Sequence, residues 1–481
     1  MGMASQAKRK RPGMGGNCPP APVVSLVSLG CAKNLVDSER ILGQFAEAGL
    51  LIAEDPADAD ICLVNTCGFI HDAREESAGV LRELAALKRQ GRLRFLIALG
   101  CLVERSADAP DLAAFLDAAD VRLGFQHYPR LADICHRLMA GMADPLEAGI
   151  RRKDPTRYAQ FLTAPRLRIG APHSAYLKIS EGCSNPCRFC SIPRMRGRQV
   201  SRPIADIVTE ARALVDGGAR ELNLIAQDTT SYGRDWDRQL HLHELLAALS
   251  DRLRDDVWFR LLYAYPRSLT ARTLDAMAAD PRFCPYVDLP LQHIDDEVLK
   301  AMGRGVTRAQ TEEQLDLIRR KLPDVSLRTT FIVGFPGETE AQFETLLRFV
   351  REGHFAHAGV FLYSVEPKTP AAVLTDNVPL AEKQRRRQAL MRAQLDVSRA
   401  HLRKRLGRTF DVLVDGLVSP KTDAPKGAKA VARSRHEAPE VDGTIFLRGT
   451  VSKSLRPGDR LRVCAVEALD YDLVAEPAEG R

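Results

Sequence analysis

The chain has 481 residues, 45% of them hydrophobic and 27% charged, with a formal net charge of +7. That length allows about three domains, and the composition is that of a globular protein rather than a disordered or fibrous one. No apolar run reaches membrane-span length, the mild positive charge does not demand an anionic partner, and eleven dispersed cysteines do not make a disulfide scaffold, so a reducing, cytoplasmic setting is expected.

Residues 1–22 read as a disordered basic tail, because Lys8-Arg9-Lys10-Arg11 is followed by Pro and Gly rather than by the apolar stretch of a signal peptide. From Val23, strands and helices alternate. Val23–Leu29 reads as a buried strand ending in Gly30-Cys31, followed by a helix with Asn34 as N-cap that runs to Ala48. Ile61–Thr66 is a second strand ending in Cys67-Gly68, before a charged helix from Asp72 to Gln90. Arg94–Leu99 is a third, ending in Gly100-Cys101. The alternation predicts a doubly wound parallel sheet over 23–134, and in such sheets the carboxyl ends of the strands line the ligand crevice. Cys31, Cys67 and Cys101 each occupy such an end and are expected to meet, whereas Cys62 lies inside its strand and reads as core. Residues 135–168 carry Pro145, Pro155 and Pro165 without a sustained period and read as a connector.

A second alternation spans 169–406. Expected strands are Ala175–Ser180, Glu221–Ala226, Trp258–Ala264, Val287–Leu291, Ser326–Val333 and Gly359–Ser364. Expected helices are Pro203–Asp216, Leu240–Arg254, Thr270–Ala279, Asp295–Leu322, Glu340–Glu352 and Leu380–Leu406. Six such units predict an open (βα)6 partial barrel with its site at the carboxyl ends of the strands. Just after the first strand stands Glu181-Gly182-Cys183-Ser184-Asn185-Pro186-Cys187-Arg188-Phe189-Cys190, with thiols at i, i+4 and i+7. Soft thiolates this close together suit iron–sulfur or zinc ligation. A closed zinc site or a plain electron-transfer [4Fe–4S] cluster takes four protein ligands, so three leave a position open to a substrate or cofactor. The other strand ends bring Gln227-Asp228, Tyr263-Ala264-Tyr265-Pro266, Gln292-His293 and Gly334-Phe335-Pro336-Gly337-Glu338 to the same rim.

Residues 381–408 form a basic helix with ten Lys/Arg and two Asp/Glu. Short strands then follow at Phe410–Val414, Thr444–Leu447, Arg460–Glu467 and Asp472–Ala475, which predicts a small, OB-like β-barrel over 409–481. Its eleven basic and twelve acidic residues lack the footprint of an RNA binder. Glu437-Ala438-Pro439-Glu440-Val441-Asp442-Gly443 reads as an acidic loop that would repel phosphate and attract a basic protein.

Cys183-x3-Cys187-x2-Cys190, with Phe189 inside it, resembles the radical S-adenosylmethionine signature. The chain from about Val23 resembles the methylthiotransferases, which join an N-terminal three-cysteine domain, a radical core and a TRAM barrel. The resemblance implies a [4Fe–4S] cluster on Cys183, Cys187 and Cys190 whose open iron binds S-adenosylmethionine and cleaves it to a 5′-deoxyadenosyl radical. Phe189, Gln227, Gln292, Gly334 and Glu338 are the implied cofactor contacts. It also implies a second [4Fe–4S] cluster on Cys31, Cys67 and Cys101 that carries the sulfur, with a further S-adenosylmethionine as methyl donor. The runs Val27-Ser28-Leu29-Gly30-Cys31-Ala32-Lys33-Asn34 and Leu289-Pro290-Leu291-Gln292-His293, with the acidic loop, resemble the RimO branch. That branch methylthiolates the β-carbon of an aspartate in the small-subunit ribosomal protein of the decoding centre. An electron donor such as a flavodoxin or ferredoxin and a sulfur source are implied partners. The sister MiaB branch, which modifies a tRNA adenosine with the same two clusters, is the alternative reading, and a non-catalytic iron–sulfur RNA-binding protein is the third. Arg196, Arg198 and Arg328 are candidate substrate contacts.

Overall fold

A computed structural model describes residues 21–142, 161–236, 241–420, 422–450 and 454–478. Most of the expected basic tail, and residues 143–160 of the expected connector, lie outside the described residues. No helix among the described residues is long and apolar enough to cross a membrane.

The N-terminal sheet consists of β1 (Val23–Ser28), β2 (Leu51–Ile52), β3 (Ile61–Thr66), β4 (Phe95–Gly100) and β5 (Val121–Leu123). Every pairing is parallel, in the order β2-β1-β3-β4-β5. The parallel sheet matches expectation. The edge strands β2 and β5 were not expected, because two or three residues carry no readable alternation. Around the sheet pack α1 (Ala32–Glu47), α2 (His71–Arg89), α3 (Cys101–Asp108) and α4 (Leu131–Met139). Asn34 is not the N-cap. The extended backbone of Cys31 starts α1, and Asn34 lies inside the helix, where its Nδ2 donates to the carbonyls of Leu29 (3.0 Å) and Thr66 (3.1 Å). It therefore ties the ends of β1 and β3 together.

The central domain starts with β6 (Ser174–Lys178), followed by a two-residue ribbon of β7 (Ser180–Glu181) with β8 (Val200–Ser201). Then come β9 (Glu221–Ile225), β10 (Trp258–Leu261), β11 (Phe283–Asp288), β12 (Ser326–Val333) and β13 (His357–Leu362). The six long strands pair in parallel in sequence order, and the two outer strands, β6 and β13, do not meet, so the barrel is open. The helix expected over Asp295–Leu322 is in fact two, Asp296–Ala301 and Arg308–Lys321. Gly303 and Gly305 between them take φ of +72° and +64°. At Gly303 an added Cβ would stand 2.6 Å from the Pro186 carbonyl oxygen, so the break lets the chain press directly on the cysteine loop.

A closed barrel ends the chain: β14 (Thr409–Leu417), β15 (Ala430–Ser434), β16 (Ile445–Leu447), β17 (Arg460–Ala468) and β18 (Leu473–Pro477), in the order β14-β15-β16-β18-β17. The acidic loop of this barrel does not face outward as expected. Buried Glu437 accepts from the Ser434 hydroxyl (2.6 Å) and backbone N–H (2.9 Å) and pairs with Arg405. Asp442, its side chain fully buried, accepts from Arg328 (2.7 Å) and the Tyr286 hydroxyl (2.6 Å). Two of the three carboxylates thus hold the barrel on the core, and only Glu440 is exposed. Arg328 is engaged in the same contact and is not free to grip a substrate.

Two further carboxylates, buried Glu221 and half-buried Glu210, join the domains. Glu221 bridges Arg260 (3.0 Å) and Arg433 (2.9 Å), linking core to barrel. Glu210 receives Arg40, Arg166 and Arg202, each at 2.6 Å, so Arg166 of the connector is locked between α1 and the core. Burial alone would raise these carboxyls, but the guanidinium groups outweigh it and hold Glu210, Glu221 and Glu437 at about 2. A folded-state value below the unfolded one stabilises the protein above the unfolded value and is lost as pH falls. The thermal midpoint is therefore expected to be flat above about pH 5 and to fall steeply between about pH 4 and 2, with each carboxylate contributing about 3 kcal/mol at neutrality. Calorimetry across that range checks this, and Glu221→Gln should flatten the acid limb.

Candidate active site

Each thiol triad is placed by strand ends. β1, β3 and β4 are neighbours in the sheet, so the residues that follow them, Cys31, Cys67 and Cys101, stand side by side at its carboxyl edge. Gly30 makes the closeness possible: at φ +86°, an added Cβ would lie 2.8 Å from Cys67 Cβ and 3.0 Å from its sulfur. The charges of all three thiols reach one another. Cys67 and Cys101 are buried, whereas Cys31 keeps a solvent-accessible face although protein surrounds it otherwise. Burial pushes Cys67 up to about 12. At Cys31 burial acts the same way, but Lys33, Arg196 and the backbone N–H groups at the start of α1 outweigh it, and that thiol is lowered.

The second triad lies on the loop that leaves β7. The loop is pinned by its backbone: Cys183 N–H donates to Gly197 O (3.1 Å), Arg188 N–H to Met302 O (2.9 Å) and Ala371 N–H to Arg188 O (2.8 Å). Burial raises Cys183 to about 11 and Cys190 to about 12. Arg304 Nη1 donates to Cys187 Sγ at 3.4 Å. Cys183, Cys187 and Cys190, with Phe189, Gln227 and Gln292, line a cavity of 140 Å³. Gly334 and Glu338 stand outside that lining. The Glu338 carboxylate instead accepts the N–H groups of Gly334 and Phe335 and fixes the turn after β12. Phe69, Tyr263, Tyr265 and Arg304 also line the cavity. Phe69 comes from the N-terminal domain, right after Cys67-Gly68, so both domains wall one space.

Between the triads lies a buried ion network. Lys178 pairs with Asp37 and, at 2.8 Å, with Glu181. Arg196 pairs with Asp37 (3.0 Å) and Glu181 (2.9 Å), and its Nε donates to Cys101 Sγ at 3.4 Å. Gln227 Nε2 donates to Glu181 at 2.9 Å. Arg196, expected as a substrate contact, is instead buried between the domains. A larger cavity of 480 Å³ lies at the barrel junction, lined by Asp324, His357, His401, Arg405, His436 and Glu437 among others, but it holds no thiol.

The comparisons with known proteins fit this geometry. Residues 177–350 match the Radical SAM superfamily, 23–124 match Uncharacterized protein family UPF0004, and 406–477 match the TRAM domain. Ribosomal protein uS12 methylthiotransferase RimO of Anaeromyxobacter sp. (strain K) is 44% identical over 94% of this chain and 92% of its own length. RimO of Geobacter sulfurreducens is 42% identical over 94% and 98%, and that of Syntrophus aciditrophicus is 44% identical over 94% and 98%. The chain belongs to the RimO methylthiotransferase family. Among solved structures, the radical S-adenosylmethionine methyltransferase TsrM of Kitasatospora setae covers 84% of this chain with a TM-score of 0.55 at 15% identity, which shows a shared fold alone.

Membership of the RimO family implies S-adenosylmethionine and a [4Fe–4S] cluster, and the donor set suits both. Among the described residues no three His, Cys, Asp or Glu side chains converge on a single metal ion. A cube of four irons instead takes each thiolate on a separate iron, which asks for a looser spacing. Two buried polar atoms in the cavity lining, Gln227 Oε1 and Arg304 Nε, have no protein partner. Orphaned polar atoms of this kind mark a place for a polar ligand.

Proposed function

We propose that this chain adds a methylthio group to the β-carbon of an aspartate in ribosomal protein uS12, as a radical S-adenosylmethionine methylthiotransferase. In this reading 23–134 carries the auxiliary triad, 135–168 links it to the radical core at 169–406, and 409–481 is the TRAM barrel. The supporting observation is that two thiol triads from separate domains face one interface and share it through Arg196, in a chain 41–44% identical to RimO relatives over nearly its whole length. When bound, a [4Fe–4S] cluster on Cys183, Cys187 and Cys190 supplies the electron that cleaves S-adenosylmethionine, and a second cluster on Cys31, Cys67 and Cys101 supplies a station for the sulfur.

The side chains bind, orient and exclude water. Gln227 Oε1 and Arg304 Nε offer an acceptor and a donor to S-adenosylmethionine, Phe189 and Tyr265 wall its site, and Gln292 closes the rim. Arg304 and Arg196 each give an N–H to one ligand sulfur, and at Cys101 Arg196 opposes the upward push of burial. The ion network of Asp37, Lys178, Glu181 and Arg196 fixes the spacing of the two triads. An electron donor such as a flavodoxin or ferredoxin and a sulfur source complete the reaction, in the cytoplasm. With the acidic loop turned inward, the preference for a ribosomal protein over tRNA rests on the substrate for which the relatives are named. Mass spectrometry of uS12 from cells with and without the gene should show a methylthio mass increment on one aspartate only where the gene is present. No increment on uS12, or one on tRNA instead, would refute the proposal.

A further inference from the structure

Among the described residues, Phe69 is the one residue of the N-terminal domain that lines the cavity beside Cys183, Cys187 and Cys190; every other lining residue belongs to the core. Its side chain is 43% exposed, and it joins neither of the apolar clusters packed on the N-terminal sheet. A ring so placed serves the cavity more than its own domain. The backbone that presents it is held from two sides. Gly68 presses on the start of α3, where an added Cβ would stand 2.7 Å from Leu102 Cα. One turn along α3 from Cys101, buried Arg105 donates from Nη1 to the Gly68 carbonyl at 2.6 Å and reaches the Phe69 carbonyl at 3.4 Å.

The same guanidinium crosses to the core. Arg105 Nη1 pairs at 2.8 Å with Oε2 of Glu366, a buried carboxylate on the loop after β13. Arg74 of α2 pairs with that oxygen at the same distance, but among the described residues it makes no bond to Gly68 or Phe69. Glu366 is itself fixed: Oε1 accepts from the Ser364 hydroxyl at 3.0 Å, and its carbonyl accepts from the Thr369 hydroxyl at 2.8 Å. Further along the loop, the Ala371 N–H donates to Arg188 O, inside the Cys183–Cys190 segment, at 2.8 Å. One short loop is thus bonded to the segment after Cys67 on one side and to the core thiol loop on the other. An ion pair across the domain interface needs only one cation on Glu366, and Arg74 supplies it. What Arg105 adds is a charge-assisted grip on the carbonyls that follow Cys67.

We propose that Arg105 is a positioning residue: anchored on Glu366, it holds Gly68-Phe69 so that the Phe69 ring closes the S-adenosylmethionine cavity from the N-terminal side. The proposal rests on the reading that this cavity takes S-adenosylmethionine. An apolar ring over the mouth excludes water and narrows the poses open to the bound molecule. Because the ring follows Cys67 by two residues, tight binding of S-adenosylmethionine is tied to the docking of the domain that carries the other triad.

The test is equilibrium binding of S-adenosylmethionine to the anaerobically reconstituted holoprotein, with thermal midpoints measured alongside. Arg105→Met and Arg74→Met form a matched pair, since each removes one guanidinium from Glu366 and leaves the other, and their midpoints should fall by similar amounts. Only Arg105→Met should weaken S-adenosylmethionine, by about fivefold or more, with Arg74→Met staying within about twofold of wild type. Phe69→Ala should weaken it as much as Arg105→Met does while keeping its midpoint within about 2 °C, because its ring is substantially exposed. The double variant Phe69→Ala/Arg105→Met should bind no more weakly than Phe69→Ala alone, because the arginine acts through the ring. Unchanged affinity in Phe69→Ala or in Arg105→Met, an equal loss in Arg74→Met, effects that multiply in the double variant, or a loss of fold confined to Arg105→Met would overturn the inference. The two proposals fail separately. If wild type methylthiolates uS12 while these affinities stay level, only the assignment of Arg105 falls. If the affinities move as expected but wild type leaves uS12 unmodified, the proposed function falls and the assignment of Arg105 stands.

Discussion

Replacing Cys31, Cys67 and Cys101 together by alanine is expected to abolish methylthio transfer while S-adenosylmethionine is still cleaved; replacing Cys183, Cys187 and Cys190 is expected to abolish both. The asymmetry follows from placement. The cavity with orphaned Gln227 Oε1 and Arg304 Nε belongs to the second triad, and the groups that would orient S-adenosylmethionine come from the core. The first triad belongs to a separate sheet with its own hydrophobic core on both faces, built on residues such as Ile61, Leu63, Ile97 and Leu99 on one side and Val64, Leu96 and Ala98 on the other. Losing a sulfur from a strand end removes little of that packing, so the variant should fold; a small buried truncation costs on the order of 1 kcal/mol. Iron and sulfide analysis provides the control, since each triple variant should retain half of the wild-type content. If the N-terminal variant lost cleavage as well, or kept transfer, the division of labour between the triads would be wrong.

How far the sequence could be read depended on what kind of contact was at stake. Three Gly–Cys or Cys–Gly steps at the ends of apolar strands were legible because strand order in a parallel sheet is a short-range consequence of alternation, and the sheet does bring Cys31, Cys67 and Cys101 to one edge. The six-strand open barrel was legible for the same reason. Pairings across domain interfaces were not. Glu437 and Asp442 lie in a run that looks solvated, and only the fold reveals Arg405 beside one and Arg328 beside the other. Lys178 within a strand was a hint, since a charge at a buried position needs a reason. Arg304, flanked by Gly303 and Gly305, was hidden by a helical period that continues on both sides of the break.

Arg196→Met is expected to destabilise the union of N-terminal and central domains by about 3–5 kcal/mol, because it leaves Asp37 and Glu181 sharing Lys178 in a dry interface. Burial opposes the Glu181 carboxylate, and Arg196 with Lys178 holds it far below the usual range, so the charge has no cheap way to neutralise itself once the guanidinium is gone. Adding Glu181→Gln to Arg196→Met restores a neutral pair, Asp37 with Lys178. The double variant should therefore be more stable than the sum of the single effects by more than about 1 kcal/mol. Charge is only part of the role. The guanidinium also stacks on Phe125 at 4.8 Å, donates to Asn34 Oδ1 at 2.5 Å and reaches Cys101 Sγ at 3.4 Å. A lysine keeps the charge but cannot span these three contacts from one rigid plane. Arg196→Lys should thus recover much of the stability in a denaturation titration yet hold less iron at the N-terminal triad than at the core. Additive single effects would show that the four charges do not act as one unit, and wild-type iron retention in Arg196→Lys would show that the contact with Cys101 is incidental.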